Sequence, residues 1–238
     1  MPDSYGEPIF KALFAAIASR DRSLVSRLLA SLPALARQAC RVGATRQNPS
    51  DYFYEQIFHY AYAGDTPLHI AAAAHDAEIA GDLIARGADV RAQNRRGAEP
   101  LHYATDGIPD TPRWNPAAQL AVVEILIAAG ADPNSVDKDG VAPIHRAVRT
   151  RCAAAVRGLL AGGADPRMKN KGGSTPLHLA VQNTGRGGTG SAPARAQQTE
   201  IIKLLLGHGA RPSDKSSAGR SVEDCVTADW IQTLLHDG

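Results

Sequence analysis

Four of the eight histidines, His69, His102, His145 and His178, stand in the related strings "TPLHIA", "EPLHYA", "APIHRA" and "TPLHLA". An imidazole can hold a metal, move a proton, or tie two backbone groups together through its two ring nitrogens. Repetition in one local setting points to the last of these. The other four, His59, His75, His208 and His236, form no H-E-x-x-H, no C-x-x-C partnership and no i,i+4 ligand pair. The stretch "GRGGTG" from Gly185 has the glycine content of a phosphate-binding loop, but no strand precedes it and no Lys-Ser or Lys-Thr follows. No set of nucleophile, base and orienting group can be read along the chain. Catalytic residues, metal ligands and cofactors are therefore not expected.

The residues suited to binding are more informative. The stretch "DYFYEQIFHYAYAG", Asp51 to Gly64, holds Tyr52, Phe53, Tyr54, Phe58, Tyr60 and Tyr62, half of the twelve aromatic residues in the chain. Tyrosine is large and amphipathic and loses little entropy on binding, which suits it to interfaces. Tyr52, Tyr54, Phe58, Tyr60 and Tyr62 all have even numbers, so in an extended chain they share a face. A helix over Asp51 to Tyr60, with Tyr54 and Phe58 four apart, is the competing reading; extended structure from Ile57 to Ala63 is preferred.

Composition sets the class. In 238 residues with 44% hydrophobic content, the apolar residues are chiefly Ala, Leu, Val and Ile, which suits thin, closely packed helices. A net charge of +2 does not by itself mark a nucleic-acid binder. Cys40, Cys152 and Cys225 are scattered and odd in number, as expected of reduced thiols in a cytoplasmic protein. Acidic Asp3 and Glu7, and Lys11 within the first apolar run, fit a signal peptide poorly, and no apolar run is long enough for a membrane span.

The elements that must position these residues follow from the repeat. The four strings start at Thr66, Glu99, Ala142 and Thr175; the first and last intervals are equal, and the middle one is longer. A second marker, Gly-Ala followed by Asp or Arg, begins at Gly87, Gly130, Gly163 and Gly209, and each lies the same distance before the next leading glycine (Gly97, Gly140, Gly173, Gly219). The distance from first to second marker is equal in the units that start at Thr66 and Ala142, and longer in those that start at Glu99 and Thr175. Insertions therefore fall inside these two units, between Glu99 and Gly130 and between Thr175 and Gly209. Pro67, Pro100, Pro143 and Pro176 suit the first turn of a helix, where no backbone donor is lost. The second-marker glycines follow apolar pairs, as helix stops do.

With T-P-L-H-x-A occurring four times in register, on a basic period of about 33 residues, the chain resembles the ankyrin repeat family. The resemblance implies an all-α solenoid in which each unit is a β-turn finger followed by two antiparallel helices. Residues 64–96, 97–139, 140–172 and 173–218 are the repeats. Residues 1–32 are expected to form a cap of two helices, Ile9 to Ile17 and Leu24 to Leu29, with Asp21 between them as a helix cap. Residues 219–238 form the second cap, with helices over Ser221 to Thr227 and Asp229 to Leu235 and Trp230 packed inward. Residues 33–63 enlarge the first finger, because Leu32 stands where the helix-stop glycine belongs and the next leading glycine, Gly64, follows much later than in the other units. Glu99 and Ala142 replace the motif threonine, so those two helix starts should be less well pinned, at a cost of about 1 kcal/mol each.

The resemblance also implies a function: non-enzymatic binding of a partner protein on the concave side formed by fingers and first helices. Carried over, the contact positions include Tyr62, Asp65, Arg95, Arg96, Asp106, Lys138, Arg149 and Lys171, and Tyr60 on the same extended stretch is expected to contact the partner as well. Lys169, Lys215 and Arg220 add to a basic finger side, with Glu78, Asp82, Glu124 and Glu200 on an acidic back, and an acidic partner is expected. Nucleic acid or another polyanion is the alternative, and small-ligand binding or catalysis at the aromatic finger a third. A solvated face that binds nothing is the plainest alternative. The aromatic segment either packs over the first helix pair or meets the partner. In "GIPDTPRWNP", Gly107 to Pro116, three prolines could fix Arg113 and Trp114 as contacts, although Trp114 folding back on its helices is preferred. Thr184 to Gln197 reads as a mobile linker. A monomer without membrane attachment is expected.

Overall fold

The structure, a computed structural model, describes residues 6–109, 111–112, 114–182 and 191–236. Arg113 and residues 184–190, which carry part of the expectations for the two insertion loops, lie outside them. The chain divides into two compact units, one of residues 1–104 and 121–132, the other of residues 105–120 and 133–238.

In the first unit, α1 (Glu7–Ala18) and α2 (Arg22–Ser31) form the expected N-terminal pair, and the Asp21 carboxylate accepts a hydrogen bond from the Leu24 amide at the start of α2. Phe10, Leu13, Phe14 and Ile17 lie on one face of α1 at helical spacing and are buried. Helices α3 (Pro67–Ala73) and α4 (Ala77–Ala85) form the next pair, and α5 (Pro100–Ala104) starts the one after. Helix α3 packs against α1, α4 and α5, and all of its residues are buried. Ala-rich α3 suits this position, because small side chains let three neighbours approach.

Helix α6 (Pro116–Ala128) is divided between the units: its first residues belong to the second, the rest to the first. The second unit contains α7 (Pro143–Arg149) paired with α8 (Ala153–Ala161), and α9 (Pro176–Ala180) paired with α10 (Ala192–Gly207). Helix α7 packs on α8 and α9, and α10 packs on α8, α9 and α11 (Asp229–His236).

Proline opens α3, α5, α7 and α9 at each of the four motif positions. The second-marker glycines adopt positive φ, between +85° and +100°, which ends each outer helix with a left-handed residue that glycine adopts without a Cβ clash. The fingers are tight turns held by Asx side chains. The Asn94 Oδ1 accepts from the amides of Arg96 and Ala98, and Asp137 Oδ1 accepts from those of Asp139 and Val141.

Three expectations change. The stretch from Ser221 to Thr227 is not a helix but a single 3-10 turn at Glu223–Cys225, so only α11 stands at that end. Ile231 and Leu235 fill the inward face of α11, while Trp230 is half-buried. Residues 192–197 are not linker but the first turns of α10, capped by the Ser191 hydroxyl, which accepts from the Ala194 amide. No helix among the described residues is long and apolar enough to cross a membrane.

Candidate binding site

Three of the four recurring histidines hold backbone in the same two-sided way, and His102 accepts the Glu99 amide hydrogen through Nδ1. His69 Nδ1 accepts the Thr66 amide hydrogen at 3.1 Å, so Nε2 carries the ring proton and donates it to the Ala98 carbonyl at 3.0 Å. His145 spans the Ala142 amide and the Met168 carbonyl, and His178 spans the Thr175 amide and the Arg220 carbonyl. Each of these rings joins the start of a helix to the following finger. Burial holds the pKa of His69 and His145 below the ordinary histidine value. At Glu99 and Ala142, where the motif threonine is missing, the histidine still receives the backbone hydrogen. Only the additional contact between threonine hydroxyl and ring, 3.0 Å at Thr66 and 2.7 Å at Thr175, is lost there. No cluster of three or more His, Cys, Asp or Glu that could hold a metal occurs among the described residues.

The enlarged first finger is a hairpin. Strand β1 (Phe53–Tyr54) pairs antiparallel with β2 (His59–Tyr60), joined by the turn Glu55 to Phe58. Ile57 and Phe58 lie in the turn and are not extended as expected, and the turn divides the even-numbered aromatics between two environments. Tyr52 and Tyr54 are buried on the first helix pair: Tyr54 meets Phe14 edge-on at 6.2 Å, and Lys11 Nζ sits 4.4 Å from the centre of the Tyr52 ring. The others form an open cluster. Phe53 lies 5.4 Å from Phe58 and 4.8 Å from Tyr60, and Tyr60 lies 6.5 Å from Tyr62. Phe58 is 59% exposed and Tyr60 38%.

Beside the cluster stand Arg95 and Arg96, on the tip of the next finger, with guanidinium carbons 5.2 and 5.4 Å from the centre of the Tyr62 ring. Such cation–π contacts orient the cations as well as attract them. Arg95 also donates to the Ala44 carbonyl, and its amide donates to the Ala63 carbonyl at 2.8 Å, tying the two fingers together. The site therefore combines an apolar aromatic surface with two exposed arginines, all within the first unit. Phe53 and Phe58 fall outside the positions that the repeat pattern assigns to contact; the one signal for them is that large apolar residues flank a turn.

A close backbone passage sets Tyr62 in place. A Cβ on Gly43 would lie 2.6 Å from the Tyr62 Cα and 2.4 Å from the Ala63 nitrogen, so only glycine permits the two segments to approach. Gly43→Ala is expected to destabilise the chain by about 1–3 kcal/mol by pushing residues 62–63 outward. Thermal unfolding measures the loss, and an unchanged midpoint would mean that the two segments do not pass so closely.

Asp65 does not belong at a partner surface. Its side chain is 0% exposed and accepts from the Tyr62 backbone amide (2.6 Å), the Asn94 side-chain amide (2.8 Å) and the Tyr103 hydroxyl (2.9 Å). It supports the site from beneath, because two of its donors, Tyr62 and Asn94, belong to the adjacent fingers that carry the aromatic and basic residues.

In the second unit, Lys138, Arg149 and Lys171 are exposed. Asp106 is half-buried, and its carboxylate accepts from Arg146, which also holds Asp137. Trp114 folds back: its Nε1 donates to Oε1 of the buried Gln119 at 2.9 Å, and the ring lies against Gly107. This removes the polar edge of the indole from the surface and gives the buried Gln119 carbonyl a donor. Of the acids expected on the back, Glu78 pairs with Arg22, Asp82 with Arg86 and Glu200 with Arg157.

A model of three successive ankyrin repeats matches residues 116–216, and a single-repeat ankyrin model matches residues 63–95. No curated protein matches the chain.

Proposed function

The chain belongs to the ankyrin repeat family, whose repeats serve generally as protein-interaction modules, and we propose that it is a non-enzymatic module that binds an acidic surface of a partner protein. The observation that carries this reading is the juxtaposition of exposed Tyr60, half-buried Tyr62, Arg95 and Arg96 on neighbouring fingers. Aromatic residues and arginines are the types that contribute most at protein interfaces. In the second unit, Lys138, Arg149 and Lys171 are exposed cations too, and exposed positive charge steers an acidic partner.

Rigidity supports the same reading. The fingers are held by Asx turns and by histidines that bridge to the next finger, so the backbone need not be ordered on association, and that entropic cost is avoided. The test is a comparison of partners captured from native cell extract by the wild type, by Tyr60→Ala/Tyr62→Ala and by Arg95→Glu/Arg96→Glu, after thermal unfolding has been matched. Loss of the same partner from both variants is expected. Equal capture of every partner by all three proteins would sink the proposal.

A further inference from the structure

We propose that Phe58, at the tip of the first-finger hairpin, is the apolar anchor of the interface and receives an aliphatic or aromatic side chain of an extended partner segment, whose neighbouring carboxylate is held by Arg95 and Arg96. This rests on the protein-interaction reading above and specifies the chemistry of the partner.

Three independent observations meet at Phe58. The first is its backbone: φ is +51°, in the left-handed region that bulky residues avoid and that glycine or asparagine occupy at lower cost. The second is exposure, since the residue is 59% accessible although it is large and apolar. A residue placed against its conformational preference and left in water is best explained by what it does for another molecule. The third is its surroundings: Phe53 meets it edge-on at 5.4 Å, Phe53 leads to Tyr60 and Tyr62, and the two guanidinium groups flank Tyr62.

The chemistry of the occupant follows from this order. Phe58, Phe53 and Tyr60 offer ring faces and edges, which favour an apolar side chain. Arg95 and Arg96 then favour a carboxylate further along the same segment, because a guanidinium pairs with a carboxylate through parallel hydrogen bonds. A nucleic-acid strand would use the rings and cations differently, with affinity dominated by phosphate and falling steeply with salt.

The probe is a library of random dodecapeptides displayed on phage, selected on the full chain, with the enriched peptides then synthesised and their affinities measured. The variants are Phe58→Asn and Arg95→Glu/Arg96→Glu. Asparagine tolerates the left-handed backbone, so Phe58→Asn is expected to keep or raise the unfolding temperature, by up to about 2–4 °C. Enriched peptides should pair an apolar residue with nearby Asp or Glu. Phe58→Asn should weaken them by at least about tenfold, as truncation of an interface anchor does. Replacing the apolar peptide residue by alanine should then cost little further in the Phe58→Asn background, which couples the two side chains.

Peptides that bind Phe58→Asn as well as the wild type, yet are lost by Arg95→Glu/Arg96→Glu, overturn the anchor and leave the broader interaction reading standing. Indifference to both variants sinks both. A library that yields no apolar–acidic pairing, or no binder, also overturns the anchor, as does a marked fall in the unfolding temperature of Phe58→Asn, which would make the side chain a structural contact.

Discussion

Replacement of Asp65 by alanine is expected to lower stability by about 3–5 kcal/mol, far more than any exposed substitution in the fingers. The carboxylate is fully buried and is the acceptor for three donors, the Tyr62 amide, the Asn94 side chain and the Tyr103 hydroxyl. Alanine removes the acceptor and takes a partner from the part-buried Tyr62 amide and from the buried Asn94 and Tyr103 donors, where water cannot readily replace it, at about 1–3 kcal/mol per buried group before relaxation. Asp65→Asn keeps the shape and one acceptor oxygen, and should recover roughly half of the loss. Thermal unfolding would show a fall of about 2–4 °C for each kcal/mol in a chain of this size. If Asp65→Ala instead left the midpoint unchanged and removed only partner binding, the buried network would be wrong and Asp65 would be a surface contact after all.

Stability should also fall below pH 6.5. Burial lowers the pKa of both His69 and His145 in the folded chain from the ordinary value of 6.5, and each ring uses Nδ1 to accept a backbone hydrogen, which protonation forbids. The unfolded chain takes up these protons at its ordinary pKa while the folded chain does not. The histidines' contribution is therefore fully present above that value and is lost as pH falls toward the folded pKa. Each contributes a slope of up to about 1.4 kcal/mol per pH unit within the window between its ordinary and its folded pKa, so the two add to the same acid limb. At the alkaline end the sign reverses. Burial raises the Cys40 and Cys152 thiols from 9.0 to about 12 and about 11, so their contribution is present below pH 9 and is lost above it. Unfolding midpoints measured from pH 5 to pH 10 should form a plateau between about 7 and 9 with a fall on either side. The acid limb should become shallower in His69→Gln; a flat profile from pH 7 to 5 would mean that the buried rings accept protons as readily as free ones.

The groups behind these two expectations were legible to different degrees. The histidines could be assigned from the sequence because the same ring recurs with the same neighbours, and a feature repeated four times reports the fold common to all four units. Pro67, Pro100, Pro143 and Pro176 marked helix starts for a local reason: proline's fixed φ and missing donor suit the first turn wherever the rest of the chain lies. Asp65 was misread because its neighbours in sequence belong to a surface finger. The donors that bury it come mainly from further along the chain, Asn94 and Tyr103, and no local pattern announces them.

The repeat, the helix starts within it, the basic finger residues and the lack of a recognisable catalytic motif could all be read from residue type and spacing along the chain. How the aromatic finger is shared out could not, because it depends on where the chain reverses. A tight turn stands between Tyr54 and His59, so the two-residue periodicity that puts the even-numbered tyrosines on one face of an extended strand stops at Tyr54. Tyr52 and Tyr54 then meet α1, while Phe58, Tyr60 and Tyr62 lie on the far side of the turn, with Arg95 and Arg96 beside Tyr62. Folding likewise turned Trp114 back onto Gln119 and paired Glu78 and Glu200 with arginines, because side chains take the nearest buried or charged partner in space, whatever its distance in sequence.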